Sequence, residues 1–217
     1  MARQFVELNH AIEDGMAPYP GLPSPRVAAI VDHEQSRPRY QGKAEFHIGR
    51  IEMAGNTATY LDCPFHRYRD GADLSEVPLN RVAALPGLVL DATGFRAINA
   101  PTEAAEMEGR AVLLRTNWDA RWGSPSYWEL GPYISRELLG RLVRARPALV
   151  GVDFWNVDDV EDPVRPVHTQ LLGAGILVVE NLANLAALPR EGFRFSAVPL
   201  RIVRGASIPV RAFAEIG

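Results

Sequence analysis

Two short stretches, far apart in the chain, carry the residues best suited to chemistry. Asp62-Cys63-Pro64-Phe65-His66 sets a carboxylate and an imidazole around a proline whose fixed φ stiffens the turn. His168 opens the apolar run Leu171-Leu172-Gly173-Ala174-Gly175-Ile176-Leu177-Val178-Val179, and Glu180 closes it. Asp, Glu and His are ligands for divalent cations and also the usual proton donors and acceptors of catalysis. A carboxylate at the end of a buried strand is costly unless it is paired, hydrogen-bonded or bound to a metal, so Glu180 requires a partner.

The elements that must position these groups are mostly strands. A short strand is expected at 5–9, and alternation at Phe46, Ile48, Ile51 and Met53 predicts another. Leu85 to Ala92 and Arg110 to Arg115 read as buried strands, as do 148–153 and 176–179. Residues 197–203 and 208–213 read as two late strands. Gly55 to His66 reads as a loop or a loop-to-helix passage. One helix is expected after Ser135, a good N-cap, with Leu138, Leu139, Leu142 and Val143 on one face and Pro147 marking its end. Composition narrows the class. A chain of 217 residues without repeats or an evident linker is read as one domain, 1–217, long enough to bury a core. A net charge of −3 gives no electrostatic reason to expect nucleic acid or an anionic membrane as a partner. No run approaches the roughly 18 apolar residues of a membrane helix. Cys63 is the only cysteine, which excludes an internal disulfide and a Cys-rich zinc site. That count, and the lack of an apolar signal core in Met1–Leu8, fit a cytoplasmic protein.

Taken in order, the motifs resemble the cyclase family of metal-dependent hydrolases, which includes bacterial kynurenine formamidase and isatin hydrolase. Tyr19-Pro20-Gly21 matches an early aromatic-Pro-Gly loop. The family's main motif, His-x-Gly-Thr-His-x-Asp-x-Pro-x-His, corresponds to Asn56-Thr57-Ala58-Thr59-Tyr60-Leu61-Asp62-Cys63-Pro64-Phe65-His66. Asp70-Gly71, Val77-Pro78-Leu79, Arg115-Thr116-Asn117-Trp118 and Val150-Gly151-Val152-Asp153 follow in the family's order. So do His168 with Glu180-Asn181-Leu182, Pro199-Leu200 and Pro209-Val210-Arg211. The resemblance covers nearly the whole chain. It implies an α/β fold, a swivelling β/β/α-type single domain with a mainly β core, and a homodimer or homotetramer.

The departure from the motif matters as much as the match. Relatives hold one metal with two motif histidines and the aspartate, and a second with that aspartate and the downstream His and Glu. Asn56 and Tyr60 replace both of those histidines here, while Asp62, His168 and Glu180 keep the second set. Asparagine is a weak ligand, and tyrosine ligates well only as phenolate. The resemblance therefore implies one zinc or manganese ion per chain, held by Asp62, His168 and Glu180. It implies hydrolysis of an amide, formamide or lactam bond of a small aromatic molecule, with His66 as general base and then acid. Tyr60 is a second catalytic residue in this reading, its phenol placed to donate to a developing oxyanion. Tyr19, Asn56, Phe65, Trp118 and Trp155 are expected to line the substrate pocket. Two other readings stand beside this one: a metal-independent cyclase or dehydratase of secondary metabolism, and a non-catalytic small-molecule-binding member. His10, His33 and His47 are read as surface or strand histidines and Cys63 as a small buried residue. The acids Asp153, Asp158, Asp159, Glu161 and Asp162 are read as a solvated loop, and the aromatic stretch from Trp118 to Trp128 as a surface for a second subunit.

Overall fold

A computed structural model describes residues 3–217. Thirteen strands run along the chain among the described residues. They are β1 (Gln4–Glu7), β2 (Arg26–Val31), β3 (Ile48–Glu52), β4 (Tyr60–Asp62), β5 (Leu85–Asp91), β6 (Ala97–Ile98), β7 (Ala111–Arg115), β8 (Tyr133–Ile134), β9 (Leu149–Val152), β10 (Leu177–Glu180), β11 (Phe193–Ser196), β12 (Ser207–Pro209) and β13 (Phe213–Ile216). Four α-helices accompany them: α1 (His33–Ser36), α2 (Ala104–Met107), α3 (Arg136–Ala145) and α4 (Pro166–Gly173). Nine strands form one sheet in the order β1-β13-β11-β5-β7-β9-β10-β4-β12. The central β5, β7, β9 and β10 are parallel, and they are the apolar runs that sequence reading singled out. Strands covered on both faces lack polar alternation, which is why these four read as continuous hydrophobic stretches.

Successive residues of β7 point to opposite faces, so Leu113 enters one buried cluster and Val112 and Leu114 the other. Helices α3 and α4 cover the second face with Leu138, Leu139, Leu142, Leu171 and Leu172. Ser135 caps α3 as expected, accepting from the Leu138 N–H at 3.2 Å. The first face is closed differently. Leu61 of β4, Ala214 of β13 and Phe195 of β11 share a cluster with Leu113 and Leu149 of the central strands. Both ends of the sheet therefore curl toward the same side. The fold is the expected α/β type, dominated by strands.

Several local expectations change. Residues 197–203 form no strand; the pairing with β5 and β13 is made just upstream by β11. Pro199 has no N–H to give to a ladder. The late strand expected at 208–213 divides into β12 and β13 around Val210-Arg211-Ala212. The Gly55–His66 passage contains β4, and α4 ends inside what reads as a single apolar run. β2 and β3 form a separate antiparallel ribbon on which Val27, Ile30, Ile48 and Ile51 are exposed. The aromatic stretch packs largely within the chain: Tyr127 is fully buried, with Trp122 and Trp128 set around it at 4.9 and 5.1 Å between ring centroids.

His10 belongs to this aromatic group, not to the surface. Its ring stacks on Trp122 with centroids 3.9 Å apart and planes 5° from parallel. Its buried Nε2 has no hydrogen-bond partner. Burial pushes the imidazole down to about 4. An unfolded chain titrates it near 6.5. As pH falls between those values the unfolded state takes up a proton that the folded state refuses, so stability is lost over that interval. His10→Phe keeps the stack and removes the titration. Urea denaturation at about pH 7 and about pH 4.5 is expected to show a smaller acid loss in the variant; equal losses would exclude this account.

Candidate metal centre and active site

Strand register assembles the first half of the site. In β4, Tyr60 and Asp62 point to one face and Leu61 to the core on the other. Tyr60 lies opposite Glu180 of β10, and Asp62 lies opposite Ser207 of β12. Directly opposed residues share a face, so the pairing itself brings the side chains together. The Tyr60 hydroxyl donates to Glu180 Oε2, and the Ser207 hydroxyl donates to Asp62 Oδ1. Gly55 packs against the Ser207 backbone so closely that any Cβ would collide with it.

The second half comes from the Asn156-Val157-Asp158 segment and from α4. Asp158 accepts from the backbone N–H groups of Val167 (2.6 Å) and His168 (3.2 Å) at the start of α4. Its Oδ2 also lies 2.7 Å from His168 Nδ1. That contact turns the other ring nitrogen, Nε2, toward Asp62 Oδ2 at 3.6 Å and Glu180 Oε1 at 3.5 Å. A carboxylate behind a histidine in this way fixes both its tautomer and its aim. The Val157 N–H donates to Glu180 Oε1 at 2.7 Å. His66 enters from the short 3-10 turn Pro64–His66, its Nδ1 3.7 Å from Asp62 Oδ1 and 3.3 Å from Ser207 Oγ.

Asp62, His66, His168, Glu180, Tyr60, Asn56 and Tyr19 all line one cavity of about 290 Å³, with Pro20, Gly21, Leu22 and Asn156. Three of the expected pocket aromatics do not. Phe65 packs against the core cluster with Arg204 over its ring, and Trp118 gives its indole N–H to the Tyr127 carbonyl at 2.9 Å. Trp155 stands behind Tyr19 and donates to the Glu129 carbonyl at 3.0 Å. Trp155 is buried, and Phe65 and Trp118 are half-buried against these neighbours. Tyr60 also departs from its expected role, because its one hydroxyl proton is given to Glu180 and is not free for an oxyanion. Asp153 and Asp158 are not in a solvated loop; both are buried. Asp153 accepts from the Thr116 and Asn117 N–H groups, so it ties the end of β9 to the end of β7. Asn156, Asp158 and Ser207 escaped sequence reasoning. The one signal for Asp158 was an acid ten residues before His168.

The electrostatics follow from burial. Glu180, wholly buried and close to the Asp62 charge, has its carboxyl pushed up, against the pull of His168. Burial opposes charge on His168 too, but Glu180, Asp158 and Asp62 outweigh it and lift the imidazole to about 10. Burial holds His66 below its ordinary value although Asp62 pulls it up, so it is a neutral proton acceptor near neutral pH. The ligand atoms of Asp62, His66 and His168 all lie within 4.8 Å of one another, a trio that could hold a metal ion. Glu180 adjoins it through His168. Asp62 Oδ2 is buried and has no hydrogen-bond partner among the described residues. An orphaned buried carboxylate oxygen facing an imidazole nitrogen is a donor pair that fits a divalent cation.

The sequence model of the Cyclase family matches residues 6–159. The chain belongs to the cyclase family. Among curated cyclase-family relatives, the kynurenine formamidase of Bacillus cytotoxicus is 25% identical over 213 residues, covering 97% of each chain. Among solved structures, isatin hydrolase A from Labrenzia aggregata, bound to benzyl benzoate, superposes with a TM-score of 0.84 at 22% identity over 99% of this chain and 94% of that one. A protein described as a potential metal-dependent hydrolase with cyclase activity gives 0.80 at 22% identity over 100% and 99%. These two likenesses show a shared fold over nearly the whole of this chain.

The dependence of the centre on Asp158 is open to measurement. Asp158→Asn keeps the volume but gives His168 Nδ1 a neutral partner. Divalent-cation affinity, read by competition with a chromophoric chelator, is expected to fall roughly 10- to 100-fold. Unaltered affinity would mean that Asp158 serves only to start α4.

Proposed function

We propose that this chain is a metal-dependent hydrolase of an amide-type bond, a formamide or lactam, in a small aromatic molecule. The observation that carries the reading is the unpartnered, buried Asp62 Oδ2 facing His168 Nε2 in a cavity that also holds the neutral imidazole of His66. The curated kynurenine formamidases, similar over almost the whole chain, support the class of bond and of substrate. Asp62 and His168, with Glu180 beside them, would hold one zinc or manganese ion. Such an ion lowers the pKa of water and polarises a carbonyl oxygen.

The chain's own residues do the rest. Ser207 and Asp158 hold Asp62 and His168 in place before substrate arrives. Burial keeps His66 deprotonated near neutral pH, so Nδ1 or Nε2 takes the proton of an attacking water and returns it to the departing nitrogen. Tyr60 serves Glu180. Burial and the neighbouring carboxylates hold its phenol well above the usual tyrosine range, so it stays protonated and remains a donor. With Tyr60 and Asn56 at the positions of the two motif histidines, a second cation lacks imidazole ligands, which supports one ion per chain. The cavity volume suits a single ring with a short substituent.

Elemental analysis after purification without chelators and supply of zinc or manganese is expected to give about one equivalent per chain, lost in Glu180→Gln and His168→Ala. Turnover of an aryl formamide should require that ion and fall on the order of 100-fold or more in His66→Ala while the metal stays bound. Equal loss of metal and turnover in His66→Ala would make His66 a ligand instead. Turnover that survives chelation would favour a metal-independent cyclase or dehydratase, and binding without turnover a non-catalytic member.

A homodimer or homotetramer is the quaternary state we infer. The β2–β3 ribbon supports it, because a two-stranded ribbon with exposed Val27, Ile30, Ile48 and Ile51 is marginal in water alone. Light scattering on the eluting protein is expected to give a multiple of 23.9 kDa. A monomer mass throughout the micromolar range would reject it.

A further inference from the structure

The turn Tyr19-Pro20-Gly21-Leu22 forms one wall of the cavity with all four residues. Pro20 suits the second position of a type II turn, and Gly21 supplies the positive φ (88°) that the third position requires. The Leu22 N–H closes the turn on the Tyr19 carbonyl at 3.0 Å. The turn tips a loop that is pinched at its base, where the Gly15 N–H donates to the Pro25 carbonyl (2.9 Å) and the Val27 N–H to Asp14 Oδ1 (2.8 Å). Four prolines, at 18, 20, 23 and 25, stiffen it. The loop is thus a stiff unit on a pinched base.

Among the described residues, a single hydrogen bond ties residues 16–24 to the body of the protein beyond this base. Asn156 Nδ2 donates to the Tyr19 hydroxyl at 3.0 Å. The Tyr19 ring adds edge-on packing against Trp155 and Trp128, with centroids 5.5 and 6.0 Å away. Asn156 is itself buried and oriented: its Oδ1 accepts the Asp158 N–H at 3.0 Å, which turns the amide NH2 toward Tyr19. Asn156 also stands two residues before Asp158, which grips His168, and one before Val157, whose N–H holds Glu180. Three consecutive residues therefore set the lid, one carboxylate and one imidazole of the same cavity.

We propose that the 16–24 loop is a lid over the substrate, and that Asn156 is the positioning residue that fixes its closed position. This deepens the hydrolase reading and rests on it for its kinetic consequence. A lid held at one phenol covers a flat aromatic substrate with the Tyr19 ring and closes the cavity to bulk solvent. Loss of the latch then acts on substrate retention more than on the chemical step.

Amide hydrogen exchange on the full chain tests the latch without any substrate. Tyr19→Phe removes only the hydroxyl and keeps the ring packing, so its folding is not in question; Asn156→Ala removes the other partner. Each is expected to speed exchange at Leu22, the turn's hydrogen-bonded amide, about fivefold, as loss of one ordinary hydrogen bond does, and the double variant no further. With formanilide as probe and manganese or zinc supplied, KM should rise several-fold in Tyr19→Phe while kcat falls less and metal content holds. Unaltered exchange in both variants would overturn the latch. A fall in kcat with KM constant would overturn the lid's role in holding substrate. If the wild-type protein turns over no aryl formamide, the hydrolase reading fails by itself, and the exchange experiment still decides the latch.

Discussion

Two carboxylates without solvent contact, Asp62 and Glu180, stand on adjacent strands around one imidazole, and much of the fold answers to that arrangement. Buried negative charge of this density is costly unless every oxygen is engaged. The structure engages three of the four with protein groups: Ser207 and Tyr60 from opposed strands, and the Val157 N–H from the loop after β9. The fourth, Asp62 Oδ2, faces His168 and has no hydrogen bond of its own. The pairing of β4 between β10 and β12, the start of α4 and the path of residues 156–158 can all be understood as ways of holding these oxygens at one point.

The legible part of the fold was what burial writes most plainly. Parallel strands covered on both faces leave unbroken apolar runs, and β5, β7, β9 and β10 were readable for that reason. The cap of α3 was readable because Ser135 precedes a 3.6-residue apolar period. Three-residue β4 escaped notice because its pattern is Tyr-Leu-Asp, and its polar members face a site and not solvent. α4 escaped because its eight residues are mostly apolar and run on into β10 without a polar break. Among the site residues, Asp62, His66, His168 and Glu180 share a cavity as anticipated from the motif order, whereas Asn156, Asp158 and Ser207 act through hydrogen bonds that only the tertiary fold creates. The pocket aromatics were overestimated: a tryptophan with a buried indole N–H looks alike in sequence whether it faces a ligand or a neighbouring carbonyl.

Where the motif resemblance would place two histidines, Asn56 and Tyr60 stand in a site that is organised, not collapsed. The phenol ring fills buried volume and its hydroxyl donates to one oxygen of Glu180. A neutral donor in that place satisfies one buried acceptor of Glu180, while Asp62 Oδ2 stays without a hydrogen-bond partner among the described residues. Asn56 stays half-buried at the cavity wall, where an amide can both give and accept. The substitution pair is therefore compatible with an intact cavity of altered charge.

The order in which the chain emerges gives the site's geometry a further meaning. Asp62 meets Val178 on one side and Ser207 on the other, and its hydrogen bond to Ser207 spans 145 residues. Such non-local pairing forms slowly, because loop closure must be achieved before the contacts repay it. During synthesis Asp62 is made early, yet its neighbours arrive only when all but the last strand has been translated. The cavity is thus completed late, and any nascent or truncated chain lacking β12 exposes an acid with no partner strand on that side.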